Sequence, residues 1–274
     1  HLQTLMAFAE CGDLITLKES ATQDHLIVTG EFAESLGKGP NSVLQAKNWF
    51  YHYFDCQAHF FNIELEKVLP VAAGIGGGTS DAAAMIALLI NWHQFDLTLE
   101  QKQHLVVASG ALGADVPVCL AFQLGLGSYF WLDGSGLNEL PQSLDFKENL
   151  DIVLINPKIP VNTATIFKKL KEGFSRSLSV PPLITNQDLF NFLATTQNDL
   201  QEPARQAHSL IPDIPFIVKN LNADEILVRQ SGSGATYFAL TKNAATTQQL
   251  AVKLQKTQPQ WWIKFGRTLA AISF

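Results

Sequence analysis

The stretch LPVAAGIGGGTSDA places Gly74, Gly76, Gly77 and Gly78 directly before the two hydroxyl side chains of Thr79 and Ser80. Glycines free the backbone to turn its N–H groups inward, and a helix starting just beyond them adds a partial positive charge. That combination suits a chain of phosphates. The span 70–81, with Pro70 and Ile75 inside it, is therefore a candidate phosphate cradle. The plainer alternative is tight strand-to-helix packing, with Ser80 or Asp81 capping the helix. Other phosphate motifs fit poorly. A P-loop needs GxxxxGK[ST], but the pair Gly37-Lys38 has Phe32 where the first glycine belongs and Gly39 after the lysine. A dinucleotide fingerprint begun at Gly74 and Gly76 meets Thr79 in place of its third glycine.

Asp115 lies in GALGADVPV, after freely turning glycines and before Pro117. A carboxylate there could take the proton of an attacking hydroxyl, or it could cap a short helix starting near Pro117. Asn41, following Pro40, reads as a helix N-cap. Phe167 in NTATIF has the spacing of a core residue. SGSGA, with Gly232, Ser233 and Gly234, reads as a glycine turn between strands. His52, Cys56 and His59 could share one helical face, but their aromatic neighbours favour ordinary packing over zinc.

These groups need elements to position them. Phe61, Ile63 and Leu65 alternate with Asn62, Glu64 and Glu66, the period of a half-buried strand leading into the loop. Beyond it, residues 80–95 carry alanines and aliphatics on nearly every face, as a buried helix does. A strand at 24–30 and a helix at 41–53 precede the loop. Thr98 and Gln101 have capping-box spacing for a helix reaching about 109. A strand at 128–132 leads to a glycine-bearing stretch, 133–136, that is the expected domain division. The second half mixes strands at 151–156, 225–229, 236–240 and 261–265 with helices at 163–171, 186–195, 201–210, 213–221 and 246–256. The fold class expected is α+β in two domains, 1–135 and 136–274.

With 47% apolar residues over 274, the chain can bury a substantial core. A net charge of -6 argues against nucleic acid or an anionic membrane surface as partner. Three widely spaced cysteines and no long apolar run fit a reducing, cytoplasmic setting. The chain opens at His1, so the natural N-terminus is expected upstream.

The loop resembles the ATP-binding loop of the GHMP kinases, the group named for galactokinase, homoserine, mevalonate and phosphomevalonate kinases. HLQTL at the start, NSVLQA at Asn41, LGADVPV around Asp115, NDLQEPA at Asn198 and SGSGAT at Ser231 resemble, in order, segments of one branch of that superfamily. That branch phosphorylates a cytidine-diphosphate-linked sugar alcohol for isoprenoid precursors. The resemblance implies a GHMP-type fold, ATP with Mg2+, and Asp115 as catalytic base, with no metal ligand assigned among the side chains. It further implies that Pro70, Gly74, Ile75, Gly76, Gly77, Gly78, Thr79 and Ser80 hold the phosphates, with Asn41 at the adenine end. Thr163, Phe167, Gly232, Ser233 and Gly234 fall on the acceptor side, where Phe167 would stack on cytosine. The branch's lysine-bearing strand and its DGYH segment fall upstream of His1, and the gene product is expected to carry both. Alternatives are another GHMP kinase of homoserine or mevalonate type, or a nucleotide-binding protein without catalysis.

Overall fold

The computed structural model describes residues 2–37, 39–134, 139–170, 174–221 and 226–269. The first half contains β1 (Leu2–Ala7), β2 (Leu14–Ser20), β3 (His25–Thr29), α1 (Ser42–Phe54), β4 (Phe60–Glu66) and α2 (Gly77–Trp92). After these come α3 (Leu99–Ala108), α4 (Val116–Gln123) and β5 (Tyr129–Gly134). The second half contains β6 (Gln142–Ser143), β7 (Asp151–Asn156), α5 (Thr163–Lys169), α6 (Asn186–Ala194), α7 (Gln201–Ala207) and α8 (Ile214–Leu221). It closes with β8 (Leu227–Gln230), β9 (Tyr237–Thr241), α9 (Ala244–Thr257) and β10 (Trp262–Arg267).

Strand β4 has the expected alternation: Phe61, Ile63 and Leu65 are buried on one face. It pairs antiparallel with β2 and parallel with β3, so α1 serves as the crossover between two parallel strands. Its buried face packs with α1, α2 and α4 into one core that includes Phe50, Met85, Leu89 and Leu120. The second half builds a four-stranded sheet in the order β10-β7-β9-β8, whose core holds Val153, Ile166, Tyr237 and Leu250. A further cluster joins Tyr129 and Trp131 of β5 to Ile152, Leu189, Phe192 and Leu240, so the two halves share apolar packing.

Several expectations shift. Helix α2 begins at Gly77 rather than 80, because the Ser80 N–H already closes on the Gly76 carbonyl at 2.8 Å. Glycine's poor helix propensity matters least in a first turn, whose N–H groups have no intrahelical partner. Strand β5 continues through Asp133 and Gly134, paired with β1, so the expected division at 133–136 starts inside a strand; Ser135 and Gly136 lie outside the described residues. Also outside them are His1, Lys38, Lys171 at the end of one expected helix and Glu225 at the start of one expected strand. The helix expected at 201–210 stops at Ala207. Strands β1 and β2 were not anticipated.

Candidate functional site

The glycine loop runs from β4 to α2 as expected, and its backbone is tied to the second half of the chain. Val161 N–H donates to the Ala72 carbonyl at 3.0 Å and Thr236 N–H to the Ala73 carbonyl at 3.1 Å. The Ser231 hydroxyl donates to the Gly74 carbonyl at 2.8 Å, and Trp262 Nε1 to the Val68 carbonyl at 3.1 Å. Gly74 has φ of +73°, and a Cβ there would lie 2.5 Å from the Ser231 carbonyl oxygen. Only glycine allows that approach of two backbones.

Gly76 holds the N-cap position of α2 at φ 66° and provides no side-chain cap. The N–H groups of Gly77, Gly78 and Thr79 therefore keep the unmet donors of a helix start. Gly78 is exposed, and the Thr79 hydroxyl donates to the Gly76 carbonyl at 2.7 Å. The donor set fits phosphate oxygens. Asn41 caps α1 by accepting from Val43 N–H at 2.9 Å, as its plainer reading has it. The start of α1 nevertheless lies beside the loop, because a Cβ on Gly78 would sit 3.8 Å from Ser42 Oγ.

Asp115 stands at the N-cap position of α4 but makes no capping bond with its side chain. It keeps contact with solvent, yet the surrounding protein raises its carboxyl above the usual carboxylate range by desolvation. Helix α4 lies against the loop: Cys119 Sγ is 3.9 Å from Thr79 Oγ1, and a Cβ on Gly113 would be 4.0 Å from Thr79 Cγ2. The Cys119 thiol, fully enclosed, is pushed up to about 12 and is chemically quiet.

On the opposite side, Gly232 and Gly234 have φ of 49° and 84°, and Ser233 is buried between them. Ser233 Oγ and Thr163 Oγ1 are 2.9 Å apart. Asn198 holds this turn by donating to the carbonyls of Gln230 and Gly232 at 2.9 and 2.8 Å, a shaping role. Phe167 departs from its spacing-based expectation as a core residue. Neighbouring Ile166 is fully buried while Phe167 is 44% exposed, its ring unclaimed by the core. His59 bonds Glu19 at 3.0 Å, away from the loop.

Under the loop, the sequence reading missed Lys67 and Asp13 and gave Asp81 only as a possible helix cap. Lys67 Nζ donates to Asp13 and, at 2.7 Å, to Asp81 Oδ2. Asp13 Oδ1 accepts from Val68 N–H and Leu69 N–H at 2.7 and 2.9 Å. Asp81 is thus no helix cap. Lys67 was findable: it continues the buried phase of Phe61, Ile63 and Leu65, and a lysine on a core-facing register demands acidic partners.

A glycine loop ending in an uncapped helix, a carboxylate at a helix start beside it and a second glycine turn facing it form one candidate site. Residues 41–122 match the GHMP kinases N terminal domain. The chain is 35% identical over 276 residues to the 4-diphosphocytidyl-2-C-methyl-D-erythritol kinase of Chelativorans sp., covering 99% of this chain and 89% of that one. The enzyme of the same name from Bartonella tribocorum is 34% identical, with coverage of 99% and 89%. A crystal structure of 4-(cytidine 5'-diphospho)-2C-methyl-D-erythritol kinase superposes with a TM-score of 0.72 at 23% identity, over 98% of this chain and 90% of that one. Homoserine kinase from Cytophaga hutchinsonii superposes at 0.65 with 16% identity, over 96% and 87%; these two likenesses concern the fold. The chain belongs to the 4-diphosphocytidyl-2-C-methyl-D-erythritol kinase family of GHMP kinases, ATP-dependent small-molecule kinases with a two-domain α+β fold.

Proposed function

We propose that this chain phosphorylates a hydroxyl of 4-diphosphocytidyl-2-C-methyl-D-erythritol with ATP, in the non-mevalonate route to isoprenoid precursors. The observation that carries the reading is the uncapped start of α2 beside Asp115, on a chain 35% identical to a kinase of that name.

ATP lies with its phosphates along Pro70, Gly74, Ile75, Gly76, Gly77, Gly78, Thr79 and Ser80, and its adenine end toward Asn41. The N–H groups of Gly77, Gly78 and Thr79 are already aimed and need no rearrangement as charge builds on the transferring phosphoryl group. Asp115 accepts the proton of the acceptor hydroxyl, whose oxygen attacks the γ-phosphorus while ADP departs on the opposite side. Its raised proton affinity suits a group that must gain a proton. Among the described residues no three potential metal-ligating side chains cluster. Mg2+ bound with the phosphates and water would neutralise charge on the transferring group. Phe167 stacks on the cytosine ring, with Thr163, Gly232, Ser233 and Gly234 bordering the acceptor.

The division of labour follows the chain: 1–135 holds ATP and 136–274 completes the acceptor side. A cytoplasmic setting suits a kinase drawing on cellular ATP, and among the described residues no helix is long and apolar enough to cross a membrane. The test is coupled ADP release by the full gene product with several alcohols. ADP formed with 4-diphosphocytidyl-2-C-methyl-D-erythritol, and inhibited by cytidine nucleotides, supports the reading. Preference for homoserine or mevalonate would replace it, and ATP binding without turnover of any acceptor would leave a nucleotide-binding protein.

A further inference from the structure

A lysine beside a glycine loop is ordinarily read as a point charge for the phosphates. Lys67 is placed for something else. Its side chain is 3% exposed, and its ammonium faces two carboxylates whose side chains are 1% and 7% exposed. Each of the three belongs to a different piece of chain: Lys67 to the exit of β4, Asp13 to the β1–β2 connection, Asp81 to the second turn of α2. The loop begins and ends between them.

The upstream end is gripped several times. Besides the two bonds into Asp13 Oδ1, the Lys67 N–H donates to the Thr29 carbonyl at 2.7 Å, and its carbonyl accepts from Phe32 N–H at 3.1 Å. At Gly30, φ +93°, a Cβ would come within 2.5 Å of the Lys67 carbonyl oxygen, so the turn there is pressed onto the same backbone. Strand exit and helix start are then joined across the loop by the Lys67–Asp81 ion pair.

We propose that Lys67, Asp13 and Asp81 form a buried clamp across the two ends of the phosphate loop, and that Lys67 and Asp81 are positioning residues which aim the N–H groups of 77–79 without touching nucleotide. The inference rests on the ATP-binding reading of the loop. Lys67→Met alone would strand two buried carboxylates and could fail to fold. The working pair is therefore Asp81→Asn, which keeps a hydrogen-bonding partner for Lys67, and the double variant Lys67→Met/Asp81→Asn, which leaves Asp13 on its two backbone donors.

Two readouts decide, both taken well below each variant's melting temperature: ATP affinity by calorimetry without acceptor, and amide hydrogen exchange of 70–80 in ligand-free protein. Asp81→Asn should hold affinity within about threefold, since a hydrogen bond is retained. The double variant should weaken ATP binding by about tenfold or more, in keeping with the cost of a misplaced site, and speed exchange in 70–80. Unchanged affinity in the double variant overturns the clamp in favour of simple structural support. Lost affinity with unchanged loop exchange overturns it in favour of direct phosphate contact. Exchange needs no ligand, so even if the wild type bound no ATP and the functional reading fell, that arm would still decide the clamp.

Discussion

Between Lys67 and Asp81 the chain is bonded outward repeatedly: to Asp13, to Val161, to Thr236, to Ser231 and, through the Val68 carbonyl, to Trp262. Across the site, Phe167 projects with 44% of its surface exposed, and Asp115 stands at a helix start with no capping bond. The loop is held by these bonds, so on the proposed reading its N–H dipoles cost no reorganisation when charge develops. On the proposed reading Phe167 is the open part of the acceptor side, and its stacking contact would be made on binding. An enzyme that handles one invariant phosphate chain and one particular alcohol gains from rigidity at the first and access at the second.

The comparison breaks most visibly at Asp115. Asp115→Asn should lower kcat by roughly 10²- to 10⁴-fold while ATP affinity stays near the wild-type value, measured by single-turnover kinetics and calorimetry. Nearly unchanged turnover would remove Asp115 as base.

Gly74→Ala tests the built side. Its Cβ would meet the Ser231 carbonyl oxygen and Gly234 N at 2.5 and 2.6 Å, at a φ of +73°. Neither neighbour is a side chain that can swing away, so the loop or the facing turn must move. We expect ATP affinity to fall by about 10²-fold, the scale of a 1 Å misplacement, with folding retained in the far-ultraviolet spectrum.

Phe167→Ala tests the open side. Loss of a base-stacking ring is worth about 1–3 kcal/mol, so acceptor KM should rise roughly 5- to 150-fold with ATP KM unmoved. Little change would take Phe167 off the acceptor.

The smallest effect concerns Asp81. Burial outweighs the attraction of Lys67 and lifts its carboxyl from 3.8 to about 6. Between those values the folded protein binds more protons than the unfolded chain, so this group's contribution to stability declines as pH rises through the interval. Melting temperatures across that interval should fall less with rising pH in Asp81→Asn than in the wild type.

Much of this was readable beforehand where the signal is local. Alternation in β4 and the alanine-rich face of α2 follow from side-chain periodicity, which tertiary context only reinforced. The Thr98–Gln101 capping box formed because both bonds close within one turn. Other features failed for want of locality. Strand β1 is held by β5, more than 120 residues away in the register Leu2↔Gly134, and its half-buried pattern carries no clear period. Phe167 looked like core because spacing cannot say whether a helix's flank meets a sheet or solvent. Asp81 looked like a cap because its partners, Asp13 and Lys67, are distant from it in sequence.

By itself the sequence determined that a glycine loop would leave a strand, enter a helix and offer unpaired N–H groups, since backbone freedom and helix-start chemistry depend only on neighbouring residues. Tertiary structure alone decided where those groups point. The loop before them is held by Asp13 from its own half of the chain and by Val161, Ser231, Thr236 and Trp262 from the other, contacts between residues distant in sequence.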